Sequence, residues 1–584
     1  SHSPGPAKTP AMAFVCRRTE MSARSKSILS GPPPGDAEVK CRGERLFSIA
    51  QKDTALLIVD MQNDFLSPEG RIGKYYKGAP LSGCVPAVKR VLDAARKAGM
   101  LVAYSRSHRY GVALVDELVG SEDKGYAIVD ELAPQPGEPV FDTWTFGAFA
   151  STALEEEFRA RGIERILLCG VMTNVAIFAT ASQGVDRFFR MVVVSDGCAA
   201  LNGEWHDMAL SLINEPQVRA GHNGQPGLYF GEVAAAEDVE AALLKTAEKD
   251  KAATPPAKKM KIEPPPARTA EMAAHAKAVT LGPPPGDAEV LCRGGRLYPV
   301  ARKDTALVII DMQTDFLSPT GRIGMHYKDT PIRSGLKGVE RLLAAARKFG
   351  MTVAHSRSHR YGAIVRDDLV GVGDEGYEIY PSLAPRPGEI VVDKWTFGAF
   401  ASTPLEQELR ARGVERIVLC GVLTNVCVFA TAVQAVDRFM RVCLVEDAVA
   451  GFRKEWHDKA IRLLSEPQLA KGHHNSQLGA VAGFRQEWHD RAIRLLSEPQ
   501  LAMGPPQFAA GPVLRGGLHR GRRGGGAGEG GGCQGRGVKP RAAAFPNPAP
   551  ELPEQQPFRL HALSAMLSAR KVPRQGKARQ CMPG

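Results

Sequence analysis

The chain repeats itself. Residues 31–222 recur as 282–473 at a constant offset of 251, without a gap. GPPPGDAE, KDTAL, DMQ, DFLSP, GRIG, SRSHRYG, WTFGAFAST and EWHD appear in both copies. A period this long excludes a solenoid and means two whole domains built to one plan. The boundaries read as a first domain at 31–230 and a second at 281–475. They are flanked by a leader at 1–30, a linker at 231–280, a segment at 476–502 and a tail at 503–584.

Within each copy, short apolar runs alternate with helical patterns. Strands are expected at 55–59, 101–104, 140–141, 166–169 and 191–195, and again at 306–310, 352–355, 390–392, 417–419 and 442–445. Helices are expected at 85–98, with Val88, Val91, Leu92 and Ala95 on one side, and at 153–161. Strands that are apolar throughout and separated by helices predict an α/β domain, its parallel sheet covered on both faces. In such sheets the ligand crevice lies beyond the carboxyl ends of the strands.

The chemistry concentrates at 418–432, VLCGVLTNVCVFATA. An apolar strand gives way after Gly421 to helical spacing, so Cys427 falls at a strand-to-helix junction. The N–H groups and partial positive charge of a helix start favour a thiolate there. A lone cysteine is also compatible with plain core packing. The copies differ in an informative way: the first reads LLCGVMTNVAIFATA, with Ala176 at the Cys427 position. Two more polar residues end strands of the second copy. Asp311 closes ALVIID and Lys394 closes VVDK, and a buried carboxylate needs a paired charge or an open site. The first copy keeps Asp60 but carries Thr143 at the Lys394 position. Joint loss of the lysine and the cysteine is what residues acting as a unit would show. The second copy is therefore expected to be active and the first inactive.

Composition narrows the partners. The net charge is +12, but residues 503–584 hold thirteen Lys/Arg against three Glu, so the domains are close to neutral. Their basicity is no argument for nucleic acid; the Gly/Arg-rich 519–532 stretch is a weak RNA-binding signal without interleaved aromatics. The tail is expected to be disordered. No apolar run approaches the roughly 18–20 residues of a membrane span. Eleven scattered cysteines without a CxxC pair suggest neither a disulfide framework nor structural zinc, and fit a reducing compartment. The leader is Arg/Ser-rich and lacks the apolar segment of a secretory signal. The linker contains PPAKKMKIEPPP, which reads either as a nuclear-import cluster or as solvated linker. A cytoplasmic protein is expected, with the nucleus or an organelle as alternatives. Finally, 449–470 recurs as 481–502, giving a spare copy of one terminal helix.

DMQTDF at 311–316, DKWTFGAF at 393–400 and GVLTNVCVFATA at 421–432 resemble, in order and spacing, the three signatures of the isochorismatase-like cysteine hydrolases. That superfamily includes nicotinamidases, N-carbamoylsarcosine amidohydrolases, and biuret and ureidoacrylate hydrolases. The resemblance implies a three-layer α/β/α fold with a parallel sheet, duplicated here in tandem. It implies a catalytic triad of Asp311, Lys394 and Cys427, and a cis peptide at Val422–Leu423. The backbone N–H groups of Leu423 and Cys427 are expected to form the oxyanion hole.

Phe316 and Trp395 match pocket-lining positions of relatives, with core packing as an equal alternative, and His359 with Arg360 reads either as recognising a carboxylate or ureido group or as ordinary surface residues. The metal-binding Asp-x-His arrangement of nicotinamidases has no counterpart in HSRSHRYGA at 355–363, so no metal or other cofactor is expected. The implied activity is hydrolysis of C–N bonds in a small amide, carbamoyl or ureido compound. A vinyl-ether hydrolase and a non-catalytic binding protein are the alternatives. Relatives assemble through copies of this fold, so either an intramolecular pseudo-dimer or a homo-oligomer is expected.

Overall fold

The computed structural model describes residues 24, 33–75, 80–108, 123–214, 230–250, 285–293, 297–325, 330–359, 371, 373–465 and 480–482. Most of the leader, the tail, Arg360 and the spare helix copy beyond 482 lie outside the described residues, as do 251–280 of the expected linker and 281–284 of the second domain.

Each repeat builds a six-stranded sheet in which every pairing is parallel. In the second repeat the spatial order is Ile390–Lys394, Thr352–Ser358, Thr305–Ile310, Arg416–Val422, Arg441–Ala450 and Ala480–Ala482. The first repeat follows the same order with Val140–Thr143, Leu101–Ser107, Thr54–Val59, Arg165–Val171, Arg190–Ala199 and Glu232–Ala234. The central strands TALVII and RIVLCGV are buried at every position, which requires cover on both faces and yields the three-layer α/β/α arrangement. Helix Leu336–Phe349 supplies part of that cover, burying Val339, Leu342, Leu343 and Ala346, and it ends on Gly350 in the left-handed conformation.

The order of connection reverses between Thr305–Ile310 and Arg416–Val422: one strand leads outward to one edge, the other to the opposite edge. That switch point opens a crevice at the carboxyl ends of these two strands. Asp311 and the turn carrying Cys427 emerge there.

The expected strands all form, extended by one to six residues. Three features differ from expectation. The linker assigned to 231–280 does not begin at 231. Glu232–Ala234 is an edge strand paired with Val192–Val194, and Ala236–Asp250 is a helix against Val85–Lys97. Its Ala- and Glu-rich composition hides an amphipathic stripe, Val239, Ala242 and Leu243, all buried. The segment 476–502, expected as helix, contributes strand Ala480–Ala482 to the second sheet. Each repeat also starts with an antiparallel hairpin that the periodicity does not announce, Ala37–Cys41 with Arg45–Ile49 and Ala288–Leu291 with Leu297–Val300. Fully buried Arg416 ties the second hairpin to the sheet by donating to the carbonyls of Pro299 at 3.0 Å and Pro285 at 3.4 Å, and it pairs with Asp304 at 3.2 Å.

The repeats touch. Phe178 packs against Phe429 with ring centroids 4.5 Å apart, and Lys459 donates to Ser211 at 3.0 Å. Among the described residues no helix is long and apolar enough to cross a membrane, and the cysteines are free thiols.

Candidate active site

Strand Thr305–Ile310 ends at Asp311, whose φ of 51° lies in the left-handed region that non-glycine residues seldom occupy. The turn aims the carboxylate back into the switch point. The neighbouring strand comes close enough that a Cβ on Gly421 would sit 2.2 Å from the carbonyl oxygen of Ile310, so only glycine fits there. Ser356, on the next strand, donates its hydroxyl to Asp311 Oδ1 at 2.7 Å, and its carbonyl accepts from the Asp311 N–H at 3.2 Å.

Lys394 is the last residue of strand Ile390–Lys394 and is fully buried. Its ammonium donates to the carbonyls of Thr396 at 3.0 Å and Phe397 at 2.9 Å. It lies 2.8 Å from Asp311 Oδ2, without the alignment of a hydrogen bond, and the two side chains are 0% and 1% exposed. Burial works against the ammonium, but Asp311 and then Cys427 outweigh it and hold Lys394 above its ordinary pKa. The lysine is therefore held as an ammonium at neutral pH.

Cys427 sits in a π-helical turn, Thr424–Val428, between strand Arg416–Val422 and helix Phe429–Val436. Single π turns of this kind recur at functional sites. The Val422–Leu423 peptide preceding the turn is cis. Thr424 Oγ1 meets His457 Nδ1 at 2.9 Å, fixing the start of the turn, and Thr431 donates to the Cys427 carbonyl at 2.7 Å. Burial pushes the thiol up to about 12; Lys394 pulls against this and Asp311 adds to it. The resting group is a thiol flanked by an acceptor and a cation, which is the condition for proton transfer to accompany attack.

Of the other expected residues, Phe316, His359 and Trp395 are buried. His359 is buried and held flat between Tyr377 and Trp395, with ring centroids 4.7 and 4.2 Å away. Its Nε2 meets the Tyr377 hydroxyl at 3.0 Å. That hydroxyl donates to Asp393 at 2.9 Å, and Arg357 donates to the same carboxylate at 2.8 Å. Phe316 is buried on the short helix Thr314–Leu317. The first repeat keeps the same sandwich, His108 between Tyr126 and Trp144. An aromatic stack retained where the lysine and cysteine are gone has a packing role in both copies.

Sequence reasoning missed Ser356, Tyr377, Thr431 and Gln434. The signal was available in the duplication, which preserves them as Ser105, Tyr126, Thr180 and Gln183. Among the described residues no group of three or more His, Cys, Asp or Glu side chains is placed to hold a metal ion.

In the first repeat the frame is kept, but the lysine and the cysteine are not. Asp60 has φ 55°, Val171–Met172 is cis, and Thr173–Ile177 is a π turn. Thr143, however, donates to the Arg106 carbonyl at 3.2 Å, and Ala176 offers only a methyl group. With no ammonium beside it, burial drives the Asp60 carboxyl well above the usual carboxylate range, against a hydrogen bond from Ser105.

Residues 54–222 and 305–471 each match the isochorismatase domain, together more than half of the chain. The ureidoacrylate amidohydrolase RutB of Azorhizobium caulinodans is 29% identical over 177 residues, 26% of this chain and 77% of that protein. The enzyme of the same name from Variovorax paradoxus is 30% identical over 171 residues, 25% of this chain and 68% of that protein. Among solved structures, a cysteine hydrolase from Pseudomonas syringae pv. phaseolicola is similar at 25% identity and a TM-score of 0.30, over 34% of this chain and 96% of that one. A pyrazinamidase/nicotinamidase from Streptococcus mutans is similar at 25% identity and a TM-score of 0.27, over 30% and 99%. The chain belongs to the isochorismatase family and carries its domain twice in tandem.

Proposed function

We propose that the second repeat hydrolyses a C–N bond of a small amide, carbamoyl or ureido compound through a thioester on Cys427, and that the first repeat does not perform the reaction. Membership of the family and the amidohydrolase relatives make the chain a hydrolase of carbon–nitrogen bonds other than peptide bonds. The observation that carries the finer reading is the buried Asp311–Lys394 ion pair acting on the Cys427 thiol, together with its absence from the first repeat.

Asp311 takes the thiol proton as sulfur attacks the carbonyl carbon, while Lys394 keeps its charge and holds the carboxylate in place. The oxyanion accepts hydrogen bonds from the backbone N–H groups of Leu423 and Cys427, each donor worth about 3–4 kcal/mol in comparable sites. The tetrahedral intermediate collapses, the C–N bond breaks, and the leaving nitrogen takes the proton from Asp311 and departs as ammonia or an amine. Water then attacks the thioester, giving a proton to Asp311. Collapse releases the acid, and the proton returns to sulfur. Phe316, His359 and Trp395 wall the pocket. The ureido compounds named for the relatives fit this chemistry, because a ureido carbonyl can be attacked in the same way as an amide.

The test is ammonia release across a panel of amides, carbamoyl compounds and ureido acids, with wild type and Cys427→Ala side by side. Turnover of a member of the panel by wild type and none by a folded variant is expected. Undiminished turnover by the variant would refute the assignment.

A further inference from the structure

The loop that follows Lys394 is held from outside its own repeat. Asp186, at the end of helix Phe178–Asp186 in the first repeat, accepts the N–H of Phe397 at 2.6 Å on one carboxylate oxygen and that of Gly398 at 2.8 Å on the other. Gln434 donates to the second oxygen at 2.6 Å, and its carbonyl oxygen accepts the N–H of Phe400 at 3.1 Å. Phe230, also from the first repeat, meets the Phe397 ring edge-on at 5.6 Å. Gly398 is required for this contact, since a Cβ there would lie 2.2 Å from the Gln434 side-chain nitrogen.

The bonded atoms belong to two particular peptide groups. The Phe397 N–H shares its peptide unit with the Thr396 carbonyl, and the Gly398 N–H shares its unit with the Phe397 carbonyl. Those are the two carbonyls that accept from Lys394, at 3.0 and 2.9 Å. Each peptide therefore has its N–H end on the Asp186 carboxylate and its C=O end on the ammonium. Bonds linked in this way polarise and orient one another.

We propose that Asp186 is a positioning residue for Lys394: by gripping the N–H ends of these two peptides, the inactive repeat fixes the carbonyls that hold the lysine against Asp311 and Cys427. On this view the site in the second repeat is incomplete without the first. The negative charge of Asp186 also contributes to keeping Lys394 protonated, after Asp311 and Cys427.

The reciprocal contact separates this role from simple docking. Asp437, at the 251-residue offset, accepts the N–H of Phe146 at 2.7 Å and of Gly147 at 3.0 Å in the first repeat, and Gln183 donates to it. In that copy the lysine position is Thr143, whose hydroxyl goes to the Arg106 carbonyl. Loss of either aspartate removes the same interface bonds, but only Asp186 acts on peptides that hold a lysine.

The inference rests on Asp311, Lys394 and Cys427 being the working set, so the experiment has two readouts. Full-length Asp186→Asn and Asp437→Asn are compared for steady-state kinetics and for the pH dependence of Cys427 alkylation by iodoacetamide, with Cys427→Ala as the background. Asp186→Asn should lower kcat by roughly tenfold or more, as misplacement of a catalytic group does, with KM within about twofold. The Cys427 alkylation profile should move to higher pH. Asp437→Asn should leave both readouts near wild type while costing similar thermal stability.

Equal losses in the two variants, or an Asp186→Asn enzyme that matches wild type in rate and alkylation, overturn the proposal. The hydrolase reading fails separately, if folded Cys427→Ala remains active; the alkylation profile still reports the Asp186 coupling in that case. Should Asp186→Asn not fold, Asp186→Glu against Asp437→Glu takes its place. The extra methylene displaces the carboxylate while keeping its charge, the same asymmetry is expected, and equal behaviour of that pair overturns the inference.

Discussion

In the second repeat Asp311 faces an ammonium 2.8 Å away. In the first, Asp60 occupies the same left-handed turn at the end of the same strand, but Thr143 stands where the lysine would, its hydroxyl given to the Arg106 carbonyl. Around this difference the two backbones agree in their less usual features, including the cis peptides Val171–Met172 and Val422–Leu423 and the π turns that follow them. The frame is thus a property of the domain that does not depend on the ion pair or on the thiol. What the second repeat adds is a charge, on Lys394, and a thiol, on Cys427.

The largest effect is expected from Cys427→Ala. The first repeat folds around alanine at this position with the same π turn, so the variant should keep its structure, and its circular dichroism and melting profile should resemble those of wild type. Hydrolysis should vanish, as removal of a nucleophile typically costs about 10⁶-fold. A variant that unfolds would show instead that the two backbones are less interchangeable than they look.

Lys394→Thr copies the first repeat's other change and ranks next. A loss of roughly 100-fold or more in kcat/KM is expected, since proton transfer and charge placement each contribute on that scale. The sign of its pH dependence can be worked out. Without the ammonium, Asp311 is in the position of Asp60, whose carboxyl burial drives well upward. A base must be deprotonated to act, so the acidic limb of the rate profile should shift to higher pH and residual activity should grow toward alkaline pH. An unshifted limb would mean that Lys394 does not set the state of Asp311.

The converse graft should have a smaller effect. Thr143→Lys with Ala176→Cys, placed in a Cys427→Ala background, puts the missing groups on the first repeat's frame, where Asp437 already holds the loop at Phe146 and Gly147. Weak but measurable hydrolysis of the wild-type substrate is expected, on the order of 1% of the wild-type rate given the precision that catalytic groups require. No activity from a folded graft would show that the first pocket has also lost the fit to substrate.

How much of this was legible depended on how local the cause was. The central strands could be read because runs such as TALVII are apolar at every position, and only a doubly covered parallel strand suits that pattern. The hairpins Ala37–Cys41 with Arg45–Ile49 and Ala288–Leu291 with Leu297–Val300 could not, because they are short and only partly buried, and what anchors them is arginine, Arg416 in the second repeat, far away in sequence. Helix Ala236–Asp250 was misread because Ala, Glu and Lys compose linkers and surface helices alike. The proposed set of Asp311, Lys394 and Cys427 could be picked out from strand ends and from paired losses between the copies. Asp186 was not: it sits 211 residues from Phe397 and acts on backbone atoms, which leave no side-chain pattern at the receiving end.

The smallest effect, read as stability alone, should have opposite signs in the two repeats. Asp60 is buried with a raised pKa and a hydroxyl for company, so at neutral pH the folded state must either keep a proton that the unfolded chain would release or bury an uncompensated charge. For an acid whose folded pKa lies above its unfolded value, the native state binds more protons between the two. Its stabilising share is full below the unfolded value, near 3.9 for an aspartate, and is lost as pH rises through the folded value. Asp60→Asn removes that penalty while keeping the shape and a polar partner for Ser105. The melting temperature at pH 7 should therefore rise, each kcal/mol being worth about 2–4 °C in a domain of this size, and the gain should fade as pH is lowered toward about 4. Asp311→Asn should do the reverse, because it strands the buried Lys394 ammonium, and breaking such a pair from one side costs roughly 3–5 kcal/mol. Calorimetric melting of both variants between pH 4 and pH 8 is the check. Destabilisation by both asparagines at neutral pH would mean that Asp60 is ionised and paired after all, and that the first repeat has kept more of its charge than Thr143 suggests.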